Sequence, residues 1–151
     1  MKEVKFKKIH ENAVIPRYAT EEAACMDVVA TRIIRSIGLV TVFLGFATEI
    51  PKGFEMSGST RSSFTGSGWI LQNTPLHIDS DYRGEWKLVF EGIPKKFYPE
   101  SQTFGYVPFP YNEGDRVAQI WLNRIEPFKF KEANELKKTK RGTGGFGSTG
   151  K

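Results

Sequence analysis

The chain has 151 residues and a mass of 17.1 kDa, which suits one domain better than two. Hydrophobic residues make up 39% and charged residues 26%, and 15 glycines with 8 prolines imply many turns, a composition that argues against disorder, fibres and helix bundles. The net charge of +5 suggests an anionic partner without naming it, and one cysteine, Cys25, beside only His10 and His77, is too little for a disulfide framework or a closed zinc site and suits a reducing cytosol.

Met1 to Lys8 alternates charge and apolarity without the apolar run of a leader, and Val4 and Phe6 predict a first strand. Ala24-Cys25-Met26-Asp27 puts one carboxylate inside an apolar strand, where it needs an arginine, a backbone cap or a metal-bound water. Leu39 to Ile50 reads as a strand stopped by Pro51-Lys52-Gly53. The most apolar stretch, Ile37 to Phe46, is far shorter than the ~20 residues that cross a bilayer, so a soluble protein is expected. Arg61-Ser62-Ser63 lies between Gly58 and Gly66, and an arginine with adjacent hydroxyls on such a loop suits a phosphate.

Asn73 to Glu85 reads as a hairpin whose turn presents polar groups to a pocket. Asp79 there either caps the turn or acts as a general base that orients water, and one of Asp79 and Asp81 is free to pair with Arg83. Trp86, Leu88 and Phe90 alternate with charged residues as a further strand. Residues 91–113 mix four prolines with Phe97, Tyr98, Phe104, Tyr106, Phe109 and Tyr111. That excludes a central strand and predicts a long hairpin or loop packed on its own body, or else a sticky surface for a partner protein. Gly114-Asp115-Arg116 is a turn in which the two charges can pair, leading into a strand from Val117 to Leu122 that carries Gln119. Ile125 to Phe130 predicts one more strand, and Glu132 to Lys138 is the one modest helix candidate. Short strands punctuated by glycine turns imply a sandwich, jelly roll or small barrel.

Five of the ten residues from 141 to 150 are glycine, so this end is expected to be disordered in the free protein. Gly142 to Gly147 matches a dinucleotide fingerprint and Gly145 to Lys151 the start of a P-loop. Both motifs need a strand before them and a helix after them, and no helix follows here. Exposed backbone N–H groups with Arg141, Ser148 and Thr149 still suit a phosphate chain, and Phe146 suits stacking on a nucleobase.

In this order the segments resemble the five motifs of the homotrimeric dUTP pyrophosphatases (dUTPases), from Ala24 to Gly150. Ala23 to Ala30 fits the first motif, Arg61-Ser62-Ser63 the second, Ile78-Asp-Ser-Asp-Tyr-Arg-Gly-Glu85 the third, Gly114-Asp-Arg-Val-Ala-Gln119 the fourth and Arg141 to Gly150 the fifth. The resemblance implies an all-β, jelly-roll-like distorted barrel over residues 1–136, and a flexible arm over 137–151 that closes a neighbouring subunit's site in a trimer. It implies Mg²⁺-dependent hydrolysis of dUTP to dUMP and pyrophosphate in the cytoplasm, limiting dUTP and supplying dUMP for thymidylate synthesis. Asp79 would orient the attacking water, Tyr82 would pack on the deoxyribose and exclude a 2′-hydroxyl, and Asn73 with the backbone of His77, Ile78 and Asp79 would read the uracil. Arg61, Ser62, Ser63, Lys87 and Gln119 would contact the nucleotide, with phosphates as the partners of the first three and of Gln119. Asp27 would bind a water of the Mg²⁺ shell. Arg141, Gly147 and Ser148 would grip the substrate from the arm, with Phe146 stacked on uracil.

The family usually has glycine at Ala24 and Leu76 and a small or apolar residue at His77, and its connection through 91–113 is usually shorter. The readings that compete are a dCTP deaminase-like enzyme, a regulatory module that holds a protein partner through 91–113, and a single-strand nucleic-acid binder using the basic, aromatic surface. The match of the third motif and the tail disfavours the deaminase, and nucleic acid is not the expected partner.

Overall fold

The computed structural model describes residues 2–101 and 103–145. Thirteen strands are present among them: β1 (Lys5–Lys8), β2 (Arg17–Tyr18), β3 (Met26–Val29), β4 (Arg32–Ser36), β5 (Leu39–Phe43), β6 (Phe46–Glu49), β7 (Phe54–Thr60), β8 (Trp69–Leu71), β9 (Leu76–Ile78), β10 (Lys87–Gly92), β11 (Lys96–Tyr98), β12 (Thr103–Gly105) and β13 (Arg116–Arg124). A four-stranded sheet β4-β5-β10-β8 and a five-stranded sheet β2-β3-β13-β7-β9 carry most of the chain, with β1-β6 and β11-β12 as two small antiparallel pairs. The architecture is all-β and jelly-roll-like, as expected, with the two larger sheets as its layers.

Period-two alternation decides which side chains meet between the sheets. Val40 and Val42 of β5, Leu88 and Phe90 of β10 and Leu71 of β8 turn inward from the four-stranded sheet. Val28, Val117, Ala118, Ile120, Met56, Leu76 and Ile78 are the buried apolar residues of the five-stranded one. Each buried Val, Leu, Ile, Phe or Met side chain among them contributes roughly 1.5–3 kcal/mol on leaving water. Trp86, 1% exposed, sits just before β10 and packs on Phe46, whose ring also meets Phe6 of β1 (centroids 5.1 and 4.8 Å).

The single strand expected over Leu39 to Ile50 is two. Gly45, at φ +72°, turns the chain between β5 and β6, and its carbonyl accepts the N–H groups of Ile9 and His10. Only glycine takes that backbone conformation without strain. Residues 91–113 do pack on their own body. β11 and β12 form a short hairpin, and Tyr106, Phe109 and Tyr111 then fold back onto the core, where Phe109 meets Phe90 at 5.1 Å and Trp69 at 5.3 Å. The Trp69 indole N–H donates to the Val107 carbonyl at 2.9 Å and pins this return.

Two expected elements are absent. Ile125 to Phe130 is irregular beyond the Ile125 N–H, which donates to Gly53. Pro127 lacks a donor, and Phe128 and Phe130 stand 80% and 93% exposed with no strand beside them. Glu132 to Lys138 is also irregular and exposed. Seven residues are too few to overcome helix nucleation alone, and Leu136, 87% exposed, finds nothing to pack against.

Candidate active site

The expected hairpin from Asn73 to Glu85 is more complex than two paired arms. The chain leaves β8 in the four-stranded sheet, pairs β9 with β7 in the five-stranded sheet, and returns to β10. Asn73 ties the departure to the return: its amide donates to the Lys87 carbonyl and its Oδ1 accepts the Val89 N–H, both at 3.0 Å. Between the two limbs lies a cavity of about 510 Å³. Asn73, His77, Ile78, Asp79, Tyr82 and Lys87, six of the positions singled out in the sequence, line it together.

Asp79 follows β9 directly, where a turn closed by the Tyr82 N–H on the Asp79 carbonyl (3.2 Å) exposes its side chain. The carboxylate bonds to no other described residue, which leaves its lone pairs unused, and Asp79 is among the residues that line the cavity. Tyr82 donates its hydroxyl to the Glu85 carbonyl at 3.2 Å, and the hydroxyl end of its ring packs against Gly84, which has no Cβ to obstruct it. The expected pairing of Arg83 with an aspartate does not form. Its guanidinium instead donates to the carbonyls of Ser80 (2.8 Å) and Tyr82 (3.0 Å), because the tight turn brings those oxygens closer than either carboxylate.

A second polar cluster lies outside this cavity. Of the three partners open to Asp27, the structure supplies arginine twice: Arg61 Nε at 2.9 Å on Oδ1 and Arg116 at 3.0 Å on Oδ2. The Asp115–Arg116 pair is therefore not made. A register shift between Arg116 and Ala118 marks a bulge in β13, of the kind that re-aims a side chain. Arg116 turns to Asp27, while Asp115 accepts the Asn112 N–H at 2.7 Å. Gln119 of β13 stands opposite both Asp27 and Ser59 and donates to the Ser59 hydroxyl at 3.5 Å. Ser62 and Ser63 are exposed on a short 3₁₀ turn after β7, with the Ser63 hydroxyl 3.4 Å from that of Tyr111.

Farther along, Arg141 is exposed and donates to the Gly144 carbonyl at 2.9 Å. Phe146, Gly147 and Ser148 lie outside the described residues. Two partners were not foreseen. Glu85 accepts the Gly45 N–H at 3.1 Å, and Glu55 stands 2.9 Å from His77 Nδ1. Glu55 precedes His77 by 22 residues, and only the β7–β9 register brings them together.

The donor set bears on magnesium. No cluster of three potential ligands exists among the described residues, which does not suit an ion held directly by the protein. Asp27 does suit contact through water. Each oxygen carries one arginine bond, leaving a lone pair apiece for the O–H of a hydrated ion, and its side chain is still 18% exposed.

A family model described as dUTPase matches residues 11–150. A deoxyuridine 5′-triphosphate nucleotidohydrolase of Fusobacterium nucleatum is 36% identical over all of both chains. One from Helicobacter pylori is 34% identical over 97% of this chain and 96% of its own. Among solved structures, a mutant Staphylococcus bacteriophage 80alpha dUTPase with dUpNHpp superposes with a TM-score of 0.78 at 19% identity, covering 99% of both chains. A mutant dUTPase of S. aureus phage phi11, described with a coordinated structural Mg(II) ion, gives 0.70 at 19% identity over 91% of this chain and all of its own. These two share the fold.

Proposed function

The chain belongs to the dUTPase family, and from that premise we propose that it hydrolyses dUTP to dUMP and pyrophosphate by attack of water on the α-phosphorus. The observation that carries this is Asp79: a carboxylate without a partner among the described residues, at the rim of a cavity whose walls hold Asn73, Tyr82 and Lys87. Its free lone pairs accept a proton from water and aim the oxygen at phosphorus, which needs positioning more than covalent help. Asn73 keeps one N–H and one lone pair beyond its backbone bonds, enough to read the edge of a uracil. The Tyr82 ring excludes a 2′-hydroxyl by occupying its space.

Arg61, Ser62, Ser63 and Gln119 hold phosphate oxygens, and Asp27 orients both Arg61 and Arg116. None of them lines the nucleoside cavity, which favours a homotrimer where one subunit's nucleoside pocket meets a neighbour's phosphate cluster. Asp27 is the residue that would hold magnesium, through water, and the ion would supply neutralising charge for the pyrophosphate leaving group. The segment from 137 onward, with Arg141, Phe146, Gly147 and Ser148, closes over the substrate and opens to release product. The product dUMP is the precursor of thymidylate.

Pyrophosphate release from dUTP, measured beside dCTP, dTTP and UTP, tests the proposal. Turnover of dUTP alone is the expected result. Intact dUTP in the presence of magnesium overturns it, and ammonia from dCTP points to the deaminase reading instead.

A further inference from the structure

Resting on that reading, we propose that Glu55 is a positioning residue for His77, and that the imidazole it holds contacts the nucleoside half of the bound substrate. His77 is the middle residue of β9. Leu76 and Ile78 on either side point into the core, so alternation puts the His77 side chain on the outer face of the sheet, and the residue is among those that line the cavity. Its register partner on β7 is Ser57, and Glu55 lies two residues before Ser57 on that strand.

The pair is built rather than incidental. Glu55 Oε2 is 2.9 Å from His77 Nδ1, while Oε1 accepts the Ser57 hydroxyl at 3.0 Å and the Asn123 amide at 3.4 Å. The Asn123 amide also donates to Ser57 at 2.8 Å, and Ser57 is 2% exposed. Three strands, β7, β9 and β13, thus fix one carboxylate. Burial pushes the Glu55 carboxyl up, but the bonds from His77, Ser57 and Asn123 outweigh it and hold the group below its ordinary value.

A carboxylate only accepts, so Nδ1 carries the proton of this bond. That sets the ring's orientation and leaves Nε2 as its free nitrogen, the arrangement by which a carboxylate commonly orients a working histidine. His77 and Asp79 are two apart on extended chain, roughly 7 Å along it and on the same side. With Asp79 at the α-phosphorus, a group that far back along the wall meets the sugar or base rather than the outer phosphates. Asn73 and Tyr82, the other nucleoside contacts, line the same cavity.

The test compares His77→Leu, Glu55→Leu, Glu55→Gln and the His77→Leu/Glu55→Leu double variant. It measures KM and kcat for dUTP, and inhibition by dUMP and by pyrophosphate. His77 is half exposed, so His77→Leu keeps the fold, and a melt checks each variant. His77→Leu is expected to raise the KM for dUTP and the inhibition constant of dUMP about fivefold, leaving kcat and pyrophosphate inhibition within about twofold. Glu55→Leu is expected to act in the same direction. Glu55→Gln, which keeps an acceptor for Nδ1–H, is expected to restore most of the loss, and the double variant to be no worse than His77→Leu alone. Unchanged dUMP inhibition in His77→Leu overturns the inference, as does an undiminished Glu55→Leu effect in the His77→Leu background. Wild-type protein inert on dUTP removes the dUTPase reading and this inference together, whereas an active wild type with unaffected variants removes this inference alone.

Discussion

Replacing Gly84 by alanine adds one methyl group against a ring assigned to sugar selection. An added Cβ would stand 2.5 Å from Tyr82 Cζ and 2.9 Å from Cε2, and would collide with the hydroxyl. Real Cβ atoms do not approach that closely, so the ring must leave. It can do so, because Tyr82 is 42% exposed and its one hydrogen bond, to the Glu85 carbonyl, is long at 3.2 Å. Gly84 has no left-handed φ, so the backbone tolerates alanine. The cost in stability is then about 1 kcal/mol for one exposed hydrogen bond, a fall in melting temperature of roughly 2–4 °C for a chain of this size. The functional effect is larger, because a displaced ring no longer excludes a 2′-hydroxyl. The ratio of kcat/KM for dUTP over UTP is expected to fall by about 10–100-fold, read by pyrophosphate release with each nucleotide. A Gly84→Ala protein that keeps wild-type discrimination refutes the role given to Tyr82.

Asp79→Asn is expected to slow dUTP turnover by about 10²–10⁴-fold while keeping affinity for a non-hydrolysable analogue; unchanged turnover removes Asp79 from the reaction. Asp27→Asn loses its ion pairs to Arg61 and Arg116, and thermal melting should show a loss of about 2 kcal/mol, an unshifted melt being the contrary result. Deleting 141–151 should leave melting unaltered, since the hydrogen bonds of Arg141 and Gly142 among the described residues reach no farther than Thr139 in the exposed, irregular stretch before them, yet abolish most dUTP turnover; full activity would show the segment to be dispensable. The Glu55 carboxyl is held below its ordinary value of 4.5, so its contribution to stability is present above that pH and is lost as pH falls through the lowered value. The gap in melting temperature between wild type and Glu55→Gln should therefore narrow on acidification, and a gap constant with pH counts against the stabilising role of the ionised carboxylate.

The strands were legible where one face of the chain is buried. Trp86, Leu88 and Phe90 announced β10 by alternation alone, and Val117 to Leu122 lies within β13. The same period misled at Ile125 to Phe130, because alternation records a capacity to bury one face, not the presence of a neighbour to bury it against. Gly45 marks a break that composition hides, since apolar residues continue on both sides of it. Within the site, the segment around Asp79 was readable because its residues are close in sequence. The partners of Asp27 were not, for Arg61 and Arg116 lie 34 and 89 residues away and meet it only through strand register and a bulge. Glu55 was hidden for the same reason.

The cavity proposed for the nucleoside takes one wall from each layer of the sandwich: β9 belongs to the five-stranded sheet and Lys87 opens β10 of the four-stranded one. A molecule seated there acts as a clasp across a seam. Whatever slides the two layers past each other must first loosen its grip, so occupancy and resistance to shear rise together. At a hundredfold excess over its dissociation constant, such a clasp adds about 2.7 kcal/mol to the folded state. Substitutions deep in the core, remote from any reacting atom, are thereby coupled to affinity through the spacing of the two layers.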